Sequence, residues 1–152
     1  MTIEHPYAST PAEGRRRESI EVRVRYAETD QMGVVYHTHY LVWCEVARTE
    51  YMRRAGISYS EIEAAGTFLA VAEAQIRYHA AARYDDEIRI DAWIGRVQSR
   101  AITFGYEVWR QNGTPRRLVS ATTRLVALDR GGAPRAMPQP LLERLDALAA
   151  AV

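Results

Sequence analysis

Between residues 38 and 128 the spacing of apolar residues changes from three- and four-residue steps to alternation, and that change restricts the fold. Over residues 38–55 the apolar side chains recur at helical spacing, which puts one stripe on a single helix face: Tyr40, Cys44, Ala47, Tyr51 and Ala55. Apolar and polar residues then alternate within three successive segments, residues 68–79, 88–94 and 102–108, and residues 118–128 follow as a last predicted strand. Because such alternation is typical of half-buried β-strands, the pattern predicts one long helix followed by four strands.

Shorter segments complete the predicted order of elements. Residues 20–26 alternate as a first strand, ahead of the long helix. Residues 59–65 are predicted as a short second helix, and residues 141–150 as a closing helix. The pair Asn112 and Gly113 is typical of a two-residue β-hairpin, which we expect between the last two strands.

Short connections between consecutive strands imply antiparallel pairing, so the sequence predicts an α+β fold whose sheet of about five strands wraps around the long helix. The edge strands of such a sheet stay open to pairing with a second subunit. The chain has no internal repeat and no linker, which predicts one domain over residues 18–152. Residues 1–17 lack periodicity and carry three arginines at 15–17, and they are predicted as a flexible, solvated tail.

Composition and charge disfavour several classes of partner. The chain has 152 residues with 20 Lys plus Arg against 19 Asp plus Glu, so its formal net charge of +1 favours neither nucleic acid nor a membrane surface. Cys44 is the only cysteine, which excludes an intrachain disulfide and suits a reducing compartment. No apolar run is long enough to span a bilayer and residues 1–19 lack a signal-peptide core, so a cytoplasmic protein is expected.

The segment from Asp30 to Tyr40 concentrates polar groups just before the predicted long helix. The first backbone N–H groups of a helix lack partners within it and carry a partial positive charge, so they can polarise a carbonyl oxygen. A thioester needs that polarisation together with a carboxylate acting as nucleophile or base, and Asp30 is a candidate for this role. On spacing alone, simpler local roles are favoured: Asp30 as a turn cap, Gly33 as a residue with positive φ, and His37 as a surface side chain.

Two longer strings in this region carry a resemblance to a known family. Residues 26–40 read YAETDQMGVVYHTHY, and residues 45–50 read EVARTE. Together they resemble the hotdog-fold acyl-CoA thioesterases, in particular the 4-hydroxybenzoyl-CoA thioesterase group and its YbgC-like relatives. The resemblance extends over about residues 19–128 and implies a hotdog fold, in agreement with the predicted order of strand, helix and strands.

The resemblance implies roles for individual residues. Asp30 matches the family aspartate that acts as nucleophile or general base on the thioester carbonyl, and His37 matches a histidine of the YbgC-like members. The backbone N–H of His37, helped by Gly33 and Tyr36, is implied to face the thioester oxygen. The phosphates of CoA are expected near three residues of a strand connection: Arg96, Ser99 and Arg100.

The resemblance also implies an activity and an assembly. Hydrolysis of a small or medium acyl-CoA, aliphatic or aromatic, to free acid and CoA is expected, without a cofactor. The family works as a homodimer or a dimer of dimers, a homotetramer, with the acyl pocket at the subunit interface. An acyl-carrier-protein thioesterase and a module that binds acyl thioesters without hydrolysis remain as alternatives. A dehydratase is disfavoured, because Asp30 and His37 are seven residues apart and the Asp-x4-His arrangement is missing.

Other residues admit two interpretations. Glu45 is a second acidic candidate on the long helix, although an ion pair with Arg48 or a contact with Thr49 is preferred. Departures from the commonest family residues leave the acyl group open; they are Met32, Thr38 and His39. Four aromatic side chains are candidates for either an acyl pocket or plain core: Tyr36, Tyr40, Trp43 and Phe68.

Several other classes of site are absent from the sequence. It contains no Gly-x-Ser-x-Gly elbow, no phosphate-binding glycine loop and no dinucleotide fingerprint, which argues against a serine hydrolase, an NTPase and a Rossmann enzyme. His37 and His39 are half of a metal site at most, since no third ligand has a suitable spacing, and no metal is expected.

Overall fold

The computed structural model describes residues 15–150, and its strands form one antiparallel sheet. In chain order they are β1 (Arg17–Arg23), β2 (Phe68–Tyr78), β3 (Glu87–Gln98), β4 (Ala101–Arg110) and β5 (Arg116–Leu128). Their order across the five-stranded sheet is β1-β3-β4-β5-β2, so β1 and β2 are its edges. The predicted α+β class and the antiparallel pairing are confirmed.

Three helices accompany the sheet: α1 (Thr38–Arg54), α2 (Tyr59–Ala64) and α3 (Gln139–Ala150). The longest, α1, packs chiefly against β1, β3 and β4. The stripe predicted for this helix is buried at four of its five positions, namely Tyr40, Cys44, Ala47 and Tyr51. None of the helices in the described part of the chain is long and apolar enough to cross a membrane.

The inward face of the sheet supplies most of the core. All the apolar positions that alternation predicted for two of its strands are buried: Ile88, Ile90, Ala92 and Ile94 in β3, and Ile102, Phe104, Tyr106 and Val108 in β4. Burying one large aliphatic side chain contributes roughly 1.5–3 kcal/mol, so this face holds the helix to the sheet. The ring of Tyr51 on α1 meets that of Phe104 edge-on, with the ring centres 6.1 Å apart.

The outer face of the sheet is covered by its own side chains rather than by a helix. Trp93 lies over Gly105 so closely that a Cβ atom at Gly105 would be 2.4 Å from the ring atom Cε2. Nearby, the buried Asp91 accepts hydrogen bonds from Ser19 Oγ at 2.6 Å and from Arg89 Nε at 3.0 Å. A glycine is therefore required in β4 by packing.

The edge strand β2 differs from its prediction. Its residues do alternate in sequence, yet none of them is fully buried, and the register shifts between Val71 and Glu73. The strand itself is confirmed. Its predicted half-buried face is wrong, because α1 packs over β1, β3 and β4 and leaves β2 largely uncovered. Val71 and Tyr78 are left exposed on this edge.

The first strand is shorter than predicted. It ends at Arg23, and Tyr26–Glu28 form a 3₁₀ turn instead of its last residues. The hydroxyl of Thr29 donates to the carbonyl oxygen of Tyr26 at 2.7 Å, and the Tyr26 side chain is 78% exposed. The prediction of a strand up to residue 26 is wrong because the chain turns here to begin the loop that holds Asp30.

The arginines at 15–17, predicted as part of a solvated tail, lie on the sheet. Arg15 Nη1 donates to two backbone carbonyl oxygens of β3 at 2.9 and 2.7 Å. Arg17 opens β1 opposite Trp93, and its guanidinium carbon lies 4.9 Å from the centre of that ring. The tail prediction is wrong for these arginines, and its remaining part, residues 1–14, lies outside the described residues.

The hairpin between β4 and β5 is present but longer than predicted. Its loop contains residues 111–115 rather than only Asn112 and Gly113. The side chain of Asn112 turns toward the start of β3, where Oδ1 accepts from Glu87 N at 2.7 Å and Nδ2 donates to Asp86 Oδ1 at 2.9 Å. These long-range bonds stabilise a wider loop.

Candidate functional site

Asp30 lies at the tip of a small hairpin just before α1. The hairpin is closed by hydrogen bonds from Tyr36 N to Glu28 O and from Asp30 N to Val34 O, both 2.9 Å. The turn at its tip needs a residue with positive φ, and Gly33 supplies it with φ of 78°. The sequence therefore places a carboxylate on a rigid turn rather than on a free loop.

The Asp30 carboxylate has one oxygen engaged and one available. Oδ1 accepts a hydrogen bond from the backbone N–H of Met32 at 2.8 Å, so the turn-capping role predicted for Asp30 is confirmed. Oδ2 accepts no hydrogen bond from any residue in the described part of the chain. The side chain is only partly exposed. One oxygen anchors the group, and the other has no hydrogen-bond partner within residues 15–150.

A second carboxylate, Glu28, holds this hairpin to α1 and was missed by sequence reasoning. It is 4% exposed; its Oε1 accepts from the backbone N–H of Arg25 and its Oε2 from the indole N–H of Trp43, both at 2.8 Å. Burial alone would raise the pKa of Glu28, but these two hydrogen bonds and the Arg25 charge lower it below its ordinary value. Its position two residues before Asp30 was the available signal.

The hairpin is also attached to the segment that follows β2. Val35 N donates to the carbonyl oxygen of Ala82 at 2.8 Å, and Ala82 N donates to the hydroxyl of Tyr40 at 2.9 Å. The guanidinium of Arg83 lies beside the turn, with Nη1 3.8 Å from where a Cβ of Gly33 would be. Sequence reasoning also missed Arg83, because its proximity depends on the path of the chain after β2.

The start of α1 presents unpaired backbone N–H groups, beginning with those of His37 and Thr38. The N–H of His39 donates to Tyr36 O at 3.1 Å, whereas the N–H groups of His37 and Thr38 have no hydrogen-bond partner among residues 15–150. No side chain of the described residues caps the helix. Unpaired N–H groups at a helix start carry partial positive charge, so these two can receive a negatively charged oxygen.

Aromatic side chains surround this helix start. The Tyr36 and His37 rings meet at 4.5 Å between centres, and both side chains are exposed. The hydroxyl of Tyr78 donates to the carbonyl oxygen of His37 at 2.9 Å. The hairpin and the start of α1 thus contain the four residues that the sequence indicated: Asp30, Gly33, Tyr36 and His37.

The residues expected near the CoA phosphates lie elsewhere in the same chain. Arg96 is near the end of β3, and Ser99 and Arg100 form its turn into β4. The Asp30 hairpin follows Arg23, which pairs with the first residue of β3, so the two groups are at opposite ends of that strand. At about 3.3 Å per residue, β3 extends roughly 30 Å between these two ends. One chain alone does not bring them together.

The candidate aromatic pocket is largely core. Tyr40 and Trp43 are buried and pack edge-on with ring centres 5.1 Å apart, and Phe68 lies at the other end of β2 beside Arg130. Of these aromatic candidates, Tyr36 is the exposed one at the helix start. A cavity of about 230 Å³ lies away from this region, between α2 and the start of α3.

The prediction that Glu45 forms an ion pair with Arg48 is wrong. In the described part of the chain Glu45 forms no ion pair, and Arg48 points inward to the hydroxyls of Tyr106 at 3.4 Å and Thr123 at 3.5 Å. Helical spacing places both residues on adjacent faces but does not decide which of them faces the sheet. Within residues 15–150 no group of three or more His, Cys, Asp or Glu side chains is arranged to hold a metal ion.

Comparison with known sequences identifies the family. Residues 32–116, more than half of the chain, match the Thioesterase superfamily, 4HBT. A Bacillus subtilis protein provisionally named acyl-CoA thioesterase YneP is 36% identical over 110 residues, which are 72% of this chain and 78% of that protein. Acyl-CoA thioesterase YbgC of Haemophilus influenzae is 33% identical over 114 residues, which are 74% and 82% of the two chains.

Solved structures agree in fold. The crystal structure of the DHNA-CoA thioesterase from Staphylococcus aureus superposes with a TM-score of 0.79 at 26% identity, covering 86% of this chain and 89% of that one. The resemblance stated from residues 26–50 is confirmed. The chain therefore belongs to the thioesterase superfamily and is a hotdog-fold thioester hydrolase, similar to the YbgC-like acyl-CoA thioesterases.

Proposed function

We propose that this chain hydrolyses small or medium acyl-CoA thioesters, with Asp30 as nucleophile or general base and the N–H groups of His37 and Thr38 as the oxyanion site. One observation carries the proposal: a carboxylate with a free oxygen lies on the hairpin that leads directly into the unpaired N–H groups of His37 and Thr38. From the ladder geometry, the Cα atoms of Asp30 and His37 are roughly 10 Å apart. A thioester carbonyl group fits between the Asp30 carboxylate and the N–H groups at this separation.

Both routes through Asp30 end in the same products. As a nucleophile, the carboxylate attacks the thioester carbon, CoA leaves as a thiolate that takes up a proton, and water then hydrolyses the mixed anhydride to the free acid. As a general base, Asp30 accepts a proton from water while the water oxygen attacks the thioester carbon; the C–S bond then breaks, and the CoA thiolate takes up the proton. In either route negative charge develops on the carbonyl oxygen, and one well-placed N–H donor there accounts for about 10²–10³ in rate.

The remaining assigned residues have supporting roles in this proposal. Gly33 gives the turn its conformation, and Tyr36 and His37 present exposed rings beside the thioester, where they contact the acyl or pantetheine group. Arg96 and Arg100 are too far from Asp30 in the same chain to contact its substrate. In this proposal Arg96 and Arg100 bind the phosphates of a CoA substrate that is held at Asp30 of the partner subunit. Ser99, in the turn that also contains Arg100, lies next to them.

A homodimer, alone or paired as a dimer of dimers, is part of the proposal. The edge strand β2 has an open row of backbone N–H and C=O groups, and Val71 on it is 52% exposed. Val42 and Val46 on α1, one helical turn apart, are about half exposed. Exposed apolar side chains on α1 and an unpaired strand edge both favour pairing with a second copy.

Two relatives support particular candidates for the acyl group and its carrier. The Staphylococcus aureus structure is named as acting on DHNA-CoA, and the exposed Tyr36 ring supports an aromatic acyl group. An Arabidopsis thaliana relative, 29% identical over 91 residues, is named an acyl-acyl carrier protein thioesterase, so carrier-protein thioesters are the second candidate. A protein that binds acyl thioesters without hydrolysing them is the third outcome of the test below.

The test is thiol release from a panel of acyl-CoA and acyl-carrier-protein thioesters by wild type and by Asp30→Asn. We expect kcat of Asp30→Asn to fall by at least about 100-fold, since this is the usual effect of removing a group that takes part in the chemistry. Asp129→Asn is a matched control, because Asp129 Oδ1 caps a turn through Gly131 N at 2.9 Å, as Asp30 does through Met32 N. Equal rates for wild type and Asp30→Asn would contradict the assigned role.

A further inference from the structure

Tyr78, the last residue of β2, fixes the peptide group at the start of α1. Its backbone pairs with Val119 of β5, and its ring packs edge-on against Tyr40 with the centres 5.6 Å apart. Its hydroxyl donates to the carbonyl oxygen of His37 at 2.9 Å. The side chain is therefore held at its base, along its ring and at its tip, and it acts on one peptide group.

That peptide group carries the unpaired N–H of Thr38. A trans peptide is planar, so the carbonyl of His37 and the N–H of Thr38 point in opposite directions. The direction in which Tyr78 holds the His37 carbonyl therefore sets the direction of the Thr38 N–H. A hydrogen bond to a peptide carbonyl also polarises the whole group and strengthens its N–H as a donor.

The neighbouring peptide group is held in a different way. The N–H of His37 belongs to the peptide whose carbonyl is that of Tyr36, and this carbonyl accepts from His39 N at 3.1 Å. The helix backbone thus orients the first free N–H, whereas a side chain from another element orients the second. Among residues 15–150, Tyr78 is the side chain that contacts this pair of peptide groups through a hydrogen bond.

We propose that Tyr78 is a positioning residue for thioester hydrolysis, which orients and polarises the Thr38 N–H through the carbonyl of His37. The inference rests on the proposed function, because it assigns Thr38 N–H to the oxyanion. The partial burial of Tyr78 raises its pKa, and the nearby Cys44 adds to the effect, so the hydroxyl keeps its proton at neutral pH and remains a donor. Tyr78 itself does not touch the reacting atoms.

Tyr78→Phe separates the hydroxyl from the packing, since phenylalanine keeps the ring against Tyr40. We expect kcat to fall about tenfold and KM to stay within about twofold, because the lost interaction acts in the transition state. The Thr38 amide signal in a ¹⁵N-correlated NMR spectrum is expected to shift, since its peptide group loses a hydrogen bond. If Tyr78 served only in packing, Tyr78→Phe would leave kcat, KM and the Thr38 amide signal unchanged.

Tyr84→Phe is the control. The hydroxyl of Tyr84 makes no hydrogen bond within residues 15–150. Its ring packs edge-on against Tyr26, and a phenylalanine ring keeps this contact. We expect its kcat, melting temperature and Thr38 amide signal to match those of the wild type.

Each outcome decides the inference. A tenfold loss of kcat with unchanged KM, an unchanged melting temperature and a moved Thr38 amide supports it. Equal kcat in Tyr78→Phe and wild type, a loss matched by a lower melting temperature, or an unmoved Thr38 amide overturns it while leaving the proposed function intact. A wild type that hydrolyses no thioester in the panel overturns both, so the two failures are distinguishable.

Discussion

Replacing Glu28 with glutamine removes one of the two acceptors that hold the Asp30 hairpin to α1. In the wild type one oxygen accepts from Arg25 N and the other from Trp43 Nε1, both at 2.8 Å, and Glu28 is 4% exposed. Glutamine offers one oxygen and an NH₂ group that cannot accept, so one donor is left facing another donor inside the fold. A buried donor without a partner costs about 1–3 kcal/mol, and we expect the free energy of unfolding to fall by this amount.

The pH dependence of this effect follows from the pKa of Glu28. Burial alone would raise that pKa, but the hydrogen bonds from Arg25 and Trp43 and the charge of Arg25 lower it below 4.5. A depressed folded-state pKa gives stability that is complete above the unfolded value and is lost as the pH falls through the folded value. Because protonated Glu28 resembles glutamine, the difference between wild type and Glu28→Gln is expected to shrink below about pH 4.5.

The difference in the free energy of unfolding between wild type and Glu28→Gln is measured by urea unfolding, with tryptophan fluorescence as the signal. The measurement uses one protein concentration and several pH values between about pH 7 and pH 3.5. Glu107→Gln is the control, since Glu107 accepts from the Trp109 indole at 3.0 Å but is partly exposed, so water replaces the lost acceptor. We expect it to cost less than about 0.5 kcal/mol. A similarly small cost for Glu28→Gln, or a difference that stays constant across this pH range, would refute the reasoning.

The other two predictions concern packing and assembly. Gly105→Ala is expected to lower the free energy of unfolding by about 1–3 kcal/mol because its Cβ would lie 2.4 Å from Trp93 Cε2, and the cost should fall in a Trp93→Ala background. A double-mutant cycle in urea that finds no coupling between the two sites contradicts this. Val71→Lys places a charge on the exposed edge strand and is expected to weaken the dimer in sedimentation experiments, whereas Tyr84→Lys, away from β2, should leave it intact. A monomeric wild type, or a dimer of unchanged strength in Val71→Lys, counts against the assembly.

Local patterns predicted most of the fold because they report which face of each element is apolar. The stripe on α1 and the alternation in β3 and β4 identified buried residues correctly. Alternation failed in β2, because a strand at the sheet edge is covered on one side only where a helix reaches it. It also failed at Tyr26, where a hydrogen bond from Thr29 and a following hairpin favour a turn over a longer strand.

The site was predicted unevenly, for a related reason. Asp30, Gly33, Tyr36 and His37 are close in sequence, so their proximity needs no tertiary information. Glu28 and Tyr78 acquire their roles through contacts with residues 15 and 41 positions away in the chain. The inward turn of Arg48 and the distance between Asp30 and Arg96 likewise depend on how the elements pack.

The sequence by itself determined the order of the elements, the residues of the core and the string from Asp30 to the start of α1. Each of these depends on interactions between residues a few positions apart or on the apolar character of one face. Only the tertiary structure decided which carboxylate oxygen is free, which helix N–H groups are unpaired and which side chains hold them. Hydrogen bonds depend on distances of a few tenths of an ångström between distant parts of the chain, and spacing in sequence carries no such information.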